Sequence, residues 1–247
     1  MSETAIRLEE VAVGHERTIV LEGVSGEVRR GTILAVVGAN AAGKTTLLRA
    51  IAGLARPMRG RIGVRIEESL ADPSSLPPSR RATGLAFLPQ RLRLPGGFEA
   101  REIVEMGRYA LPPSAARVEQ AIVTLDLAAI ADRPIDRLSI GQQQRVALAR
   151  VLAQHRPGGV VILDEPFASL DLRETARLLG LLRSIAAEGT AVLASVHDLP
   201  VAARLADDAW ILDGGRLVAS GGTDSVLSRA SIARIFGESS ADLAFGR

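Results

Sequence analysis

The chain has 247 residues, 47% of them hydrophobic, and no cysteine. That is enough apolar material for one sizeable α/β domain, and it excludes disulfides and thiolate metal sites. The 30 Lys and Arg residues against 28 Asp and Glu leave a formal charge of +2, so the sequence pI of 9.8 reflects cations that are almost all arginine rather than a basic face. The basic residues are dispersed, the longest runs being the pairs Arg29-Arg30 and Arg80-Arg81, and aromatics make up only 3%. A nucleic-acid partner, which needs a clustered stripe or a stacking platform, is not expected. No stretch reaches the ~18 apolar residues of a membrane helix. Residues 1–8 carry charges where a signal peptide needs an apolar core, which predicts a protein made and kept in the cytoplasm.

In chain order, residues 5–13 and 18–28 alternate weakly and read as antiparallel strands joined through Gly14, His15, Glu16 and Arg17. Thr32 to Val37 is a continuous apolar run of the kind buried parallel strands use. Directly behind it stand Gly38, Ala39, Asn40, Ala41, Ala42, Gly43, Lys44 and Thr45, which fit the pattern G-x-x-x-x-G-K-[ST]. Leu47, Leu48, Ile51 and Leu54 then repeat at helical spacing. The glycines therefore fall at a strand-to-helix turn, where backbone N–H groups and the positive end of the helix dipole converge on an anion. Lys44 is the only lysine in the chain. A compact ammonium on a flexible stem fits inside a loop wrapped round a triphosphate, and a planar guanidinium does not. Lys44 is thus expected to reach the β- and γ-phosphates of a triphosphate and the Thr45 hydroxyl to ligate Mg²⁺, with Thr46 a further residue of the same phosphate-binding loop.

Beyond this loop, residues 56–60 break the chain and Arg61–Ile66 reads as a short strand. Residues 67–82 are polar, carry Pro73, Pro77 and Pro78, and read as a loop with at most a short helix. Leu85–Leu88 is a strand ending at Pro89-Gln90. From about Gly96 to His155 there is no strand-like run; residues 99–109, 114–127 and 139–154 read as helices separated by prolines. The core resumes with the strand Val160–Leu163, a helix over 173–187 with Leu178, Leu181, Leu182 and Ile185 on one face, and the strand Thr190–Ser195. A small β pair (209–212 and 216–219) and two short helices complete the tail. The expected fold is α/β: a P-loop NTPase (RecA-like) core with an N-terminal antiparallel β subdomain and an inserted α-helical subdomain. Residues 1–247 form one domain on this reading, with 1–92 and 156–247 as the core and β subdomain and 93–155 as the helical subdomain.

The strand Val160–Leu163 runs into two acids, Asp164 and Glu165, then Pro166. Parallel strands put their C-terminal ends at one edge of the sheet, where ligands bind. Behind a phosphate loop, Asp164 is expected beside Mg²⁺, holding it through water, and Glu165 facing the γ-phosphate, where it would polarise the attacking water.

Leu138-Ser139-Ile140-Gly141-Gln142, followed by Gln143, Gln144 and Arg145, resembles the LSGGQ signature of ATP-binding cassette (ABC) ATPases. With it the other pieces fall into that family's order across nearly the whole chain. Gln90 matches the Q-loop glutamine, which in the family serves catalysis and the metal and couples the site to the membrane partner. Residues 168–171, ending in Asp171, match the D-loop, and His197 matches the switch histidine that senses the γ-phosphate. Ser139 is well placed to cap a long helix whose N-terminus is a second anion site. The resemblance implies that Ser139, Gly141 and Gln142 of one chain serve ATP on the phosphate loop of a second, in a head-to-tail homodimer. Two departures stand out: Ile140 replaces the first glycine of the signature, and the position of the adenine-stacking aromatic is held by His15.

Residues 98–109, 85–90, 197–204 and 212–221 are similar to the ATPase subunits of iron-siderophore, haem and vitamin B12 importers, and zinc and manganese importers share much of this. The resemblance implies integral-membrane permease subunits as partners, a substrate-binding protein reached through them, and a place on the cytoplasmic face of the membrane. A soluble ABC ATPase acting on DNA or the ribosome is the alternative from another class. It fits poorly, because only about 48 residues separate Gln90 from Ser139, too few for the long coiled coil of chromosome-maintenance members, and the chain carries one cassette. A P-loop kinase would leave the signature helix without a role.

Overall fold

The computed structural model describes residues 3–15, 18–67, 69–91, 94–168 and 170–245. Two sheets carry the fold. The first is built from β1 (Thr4–His15), β2 (Thr18–Arg29), β4 (Arg59–Ile66) and β5 (Ser69–Ala71), antiparallel throughout and ordered β2-β1-β4-β5. The second has six strands: β3 (Ile33–Gly38), β6 (Leu85–Leu88), β7 (Val160–Asp164), β8 (Ala191–Ser195), β9 (Asp208–Asp213) and β10 (Arg216–Gly222), ordered β10-β9-β3-β8-β7-β6. All of its pairings are parallel except the edge hairpin of β9 and β10.

Residues of β3, β7 and β8 are buried on both faces because each side of the six-stranded sheet has its own core. Ile33, Ala35, Val37, Val161, Leu163, Val192 and Ala194 face one cluster, and Leu34, Val36, Val160, Ile162, Ala191 and Leu193 face the other. This period of two is how a continuous apolar run serves a covered parallel sheet. Helix α1 (Lys44–Ile51) and the N-terminal sheet cover the second face. That sheet is seated closely: a Cβ on Gly26 of β2 would lie 2.6 Å from the Trp210 ring of β9.

Between β6 and β7 the chain is helical: α2 (Pro78–Ala82) precedes β6, and α3 (Ala100–Glu105), α4 (Ala115–Thr124) and α5 (Ile140–Gln154) follow it. Each start is chemically marked. Ser114 Oγ accepts from Arg117 N–H, and Ser139 with Gln142 forms a reciprocal capping box on α5. Helix α6 (Leu172–Ala187) follows β7 and α7 (Leu199–Leu205) follows β8, capped by Asp171 and Asp198. The tail holds α8 (Thr223–Val226), α9 (Arg229–Phe236) and α10 (Glu238–Phe245).

Two expectations are corrected. The stretch expected as a loop over 67–82 contains β5 as well as a short helix; three residues flanked by turns leave no periodicity to read. Among the described residues three helices, α8, α9 and α10, follow β10, where two were expected. No helix among the described residues is long and apolar enough to cross a membrane.

Helix α5 is tied back to the core at its C-terminal end. Gln154 Nε2 donates to the carbonyls of Ala82 and Leu85, and the His155 ring bonds Thr190 Oγ1 at 2.7 Å, just ahead of β8. His155 is buried, and burial holds its pKa below the ordinary histidine value; nearby Glu188 opposes that effect and Arg117 adds to it. The unfolded chain, titrating near ~6.5, therefore binds a proton that the native state refuses, and stability falls as pH drops below that value. The slope from this residue is at most about 1.4 kcal/mol per pH unit. Urea unfolding at pH 7.5 and 5.5 should give a smaller pH difference for His155→Gln than for the parent chain.

Candidate nucleotide site

The parallel register sets three strand ends side by side. Val36 of β3 pairs with Ser195 of β8, and Ser195 pairs with Asp164 of β7. Immediately beyond this level lie the glycine loop, Glu165 and His197. Val20, Asn40, Ala41, Gly43, Lys44, Thr45, Thr46, Gln90, Glu165 and His197 line one cleft of about 930 Å³, at the upper end of the usual range for small-molecule sites.

The loop from Gly38 to Gly43 has a backbone that side chains would spoil. Gly38 has φ 153° and Gly43 φ 102°. A Cβ on Gly38 would lie 2.2 Å from the Leu212 carbonyl oxygen, and one on Gly43 would lie 2.5 Å from Leu21 Cδ2. Ala41 also sits at positive φ, 63°, and the Ala42 N–H donates to the Ala39 carbonyl at 3.2 Å, so the loop is a tight turn of the kind that presents backbone N–H groups to anions. Lys44 is 5% exposed, and its Nζ donates to the carbonyls of Gly38 and Ala39 at 2.8 and 2.9 Å. Burial holds its pKa below the ordinary lysine value, and the Glu165 and Asp164 carboxylates offset this only in part.

Opposite the loop, Asp164 is 1% exposed. Its Oδ1 accepts from Ser195 Oγ at 2.7 Å, and the same Oγ accepts from the Glu165 N–H at 2.8 Å. Asp164 Oδ2 is buried with no hydrogen-bond partner among the described residues. Glu165 takes a left-handed backbone, φ 53°, and its Oε1 lies 2.5 Å from His197 Nε2. Ser195 is a site residue that sequence reasoning missed. It matches no motif, and its only signal is a polar side chain closing an otherwise apolar strand.

A divalent ion fits this arrangement as a companion of phosphate rather than as a resident metal. Among the described residues no group of three or more His, Cys, Asp and Glu is arranged to hold one. The Asp164 Oδ2, buried without a partner among the described residues, is the oxygen that Mg²⁺, which keeps waters and takes few protein ligands, would use.

Eight expected site residues are not among those lining this cleft. Gly38, Ala39 and Ala42 belong to the glycine loop and Asp164 is buried at the end of β7, while Ser139 and Gln142 cap α5, Gly141 is in its first turn, and Asp171 caps α6. Ser139 and Asp171 are exposed, and the residues that follow them, Ile140 and Leu172, are 77% and 85% exposed. His15 ends β1, and its side chain lies outside the described residues, as does Ser169 in the Asp171 segment.

Comparison with known proteins agrees with this geometry. Residues 21–168 match the family model described as ABC transporter. The hemin import ATP-binding protein HmuV of Rhodococcus jostii is 39% identical over 238 residues, covering 94% of this chain and 80% of the relative. The cobalamin import ATP-binding protein BtuD of Halobacterium salinarum is 39% identical over 226 residues, covering 89% of this chain and 55% of that protein. Among solved structures, an ATP-binding subunit of an ABC transporter superposes with a TM-score of 0.79 at 28% identity, covering 95% of this chain and 94% of that one. A cleft built on a glycine loop, a buried lysine and a strand-end acid pair defines a P-loop nucleotide-binding protein. Within that class the chain belongs to the ABC transporter family, as an ATP-binding subunit that hydrolyses ATP.

The single lysine makes the site directly addressable. An amine-acylating reagent should modify Lys44, whose lowered pKa exposes more free amine at a given pH, and ATP should slow that reaction selectively. The yield of modified Lys44 peptide, measured by mass spectrometry with and without nucleotide, reports this; equal yields would remove Lys44 from the phosphate site.

Proposed function

We propose that this chain powers an importer for iron-siderophore, haem or cobalamin cargo, working as a head-to-tail pair of copies on the cytoplasmic face of the membrane beneath permease subunits. What supports the pairing is that Ser139, Gly141 and Gln142, at the N-terminus of α5, are not among the residues lining the cleft, and that the exposed Ile140 and Leu172 stand next to Ser139 and Asp171. An isologous pair places each such terminus over the other copy's loop and covers both apolar side chains, with Asp171 at the same seam. The import assignment rests on the names of the hemin and cobalamin relatives and on the similarity of residues 98–109 and 197–204 to that branch.

Each role follows from position. Lys44 would trade its carbonyl partners Gly38 and Ala39 for β- and γ-phosphate oxygens, and the backbone of Gly38, Ala39, Asn40, Ala41, Ala42 and Gly43 would wrap the β-phosphate, the Ala42 N–H giving up the Ala39 carbonyl it now bonds. Val20 of the cleft lining, with His15 nearby in sequence, would meet the base. Thr45, Gln90 and Asp164 would hold Mg²⁺, which neutralises charge on the phosphates when bound. Glu165 would take the proton of the attacking water, and His197 would contact the γ-phosphate. These two side chains now bond each other, so nucleotide entry has to exchange that contact. Glu165→Gln should keep ATP affinity, lower turnover by about 10²- to 10⁴-fold and accumulate a dimer in ATP on size-exclusion chromatography. Undiminished turnover would remove Glu165 as the base.

A groove of about 480 Å³ supports a permease as partner. It runs between α2 with β6 and the Met106–Tyr109 turn with α5, and is lined by Leu54, Leu85, Phe87, Met106 and Tyr109 with Arg81 and Arg150, and by no acid. Arg81 is bonded to the carbonyls of Gly53 and Pro73. Arg150 has no hydrogen-bond or ion-pair partner among the described residues, and burial lowers its pKa. A short apolar segment of the permease carrying one carboxylate would fill the groove and pair that cation. Arg150→Met should reduce membrane association of the chain in its host cells roughly 10-fold with ATP turnover of the purified chain unchanged; equal sedimentation with membranes would refute the docking site.

A further inference from the structure

We propose that Ser195 is a positioning residue for the divalent ion, a hydroxyl that fixes which oxygen of Asp164 is offered to the metal and where Glu165 starts its turn. The proposal rests on the Mg²⁺–nucleotide reading of the cleft, and the geometry beneath it is independent of that reading.

Ser195 is fully buried at the last rung of the β7–β8 ladder, directly opposite Asp164. A serine hydroxyl has one proton and two lone pairs. Here the proton goes to Asp164 Oδ1 at 2.7 Å, and a lone pair takes the Glu165 N–H at 2.8 Å. The donation holds the carboxylate plane and leaves Oδ2 as the oxygen without a partner among the described residues. The acceptance anchors Glu165 at φ 53°, a backbone that a non-glycine residue keeps only when its surroundings hold it there. One hydroxyl therefore sets both the metal-facing oxygen and the departure angle of the residue proposed as base. The chain then closes a ring: two residues beyond Ser195, His197 contacts Glu165 Oε1.

Outer-shell partners of metal-ligating carboxylates tune affinity by about 10- to 100-fold. Ser195→Cys separates hydrogen bonding from space-filling, because a thiol occupies the site but donates and accepts weakly. Ser195→Ala removes both properties. The readout is Mn²⁺ binding in the presence of ATP, followed by the electron paramagnetic resonance signal of free Mn²⁺. ATP binding in excess chelator is measured in parallel, and far-UV circular dichroism checks the fold.

The expected result is a roughly 10- to 100-fold weaker Mn²⁺ affinity in both variants, with metal-free ATP binding within about twofold of the parent. A folded Ser195→Cys chain with parental Mn²⁺ affinity would overturn the proposal, as would equal losses with and without metal. Failure of both variants to fold would assign Ser195 to packing alone and overturn it as well. If the parent chain itself fails to bind Mn²⁺ with ATP, the reading of the cleft fails rather than the role of Ser195, so the two failures are distinguishable.

Discussion

Three strands run the same way and end at the same level, and the chemistry of this chain hangs on that alignment. With Val36, Ser195 and Asp164 abreast, the next residues of each strand are forced into one neighbourhood: the glycine loop from β3, Glu165 from β7 and His197 from β8. A slip of one residue in β7 against β8 would turn Asp164 to the other face of the sheet and separate it from Ser195. The register is held by burial on both faces, since successive rungs insert their side chains alternately into the two cores: Ile33, Val192 and Val161 into one, Leu34, Leu193 and Ile162 into the other. Apolar residues such as Ile162 and Leu193 therefore determine where the carboxylates of the cleft stand.

The same alignment explains why the site is strained. A strand-end acid pair places one carboxylate back toward the sheet and the other out over the cleft only if the chain turns abruptly, and Glu165 does so with a left-handed backbone. Lys44, Ala41 and the loop glycines show the corresponding compromise on the opposite wall: a cation removed from water, and a backbone held at positive φ. Such arrangements cost stability and persist where surrounding structure over-determines them. Lys44 occupies itself with the carbonyls of its own loop, which keeps a buried ammonium satisfied.

Much of this was legible in the sequence because the relevant signals are local. The glycine loop is eight consecutive residues, the helix cap at Ser139 sits where a polar residue meets apolar periodicity, and the buried strands are unbroken apolar runs. What escaped depends on distance in the chain. Ser195 is separated from Asp164 by 31 positions, and nothing in its neighbours announces the contact. The strand β5 is three residues long and stabilised by a partner, β4, rather than by its own pattern. The tail helix α10 has a single buried residue, Ala241, so its amphipathic signal is faint. Gly26 reads as an ordinary strand glycine until the indole beneath it is seen.

That indole has a consequence of its own. Trp210 is the only tryptophan of the chain, almost wholly buried, and it lies where the antiparallel sheet rests on the parallel one, against Gly26. The joint between the two halves of the molecule thus carries its own optical reporter. Any rocking of the antiparallel sheet over the parallel one alters the packing around a lone fluorophore, and the motion can be followed in the unlabelled protein by the colour of its emission.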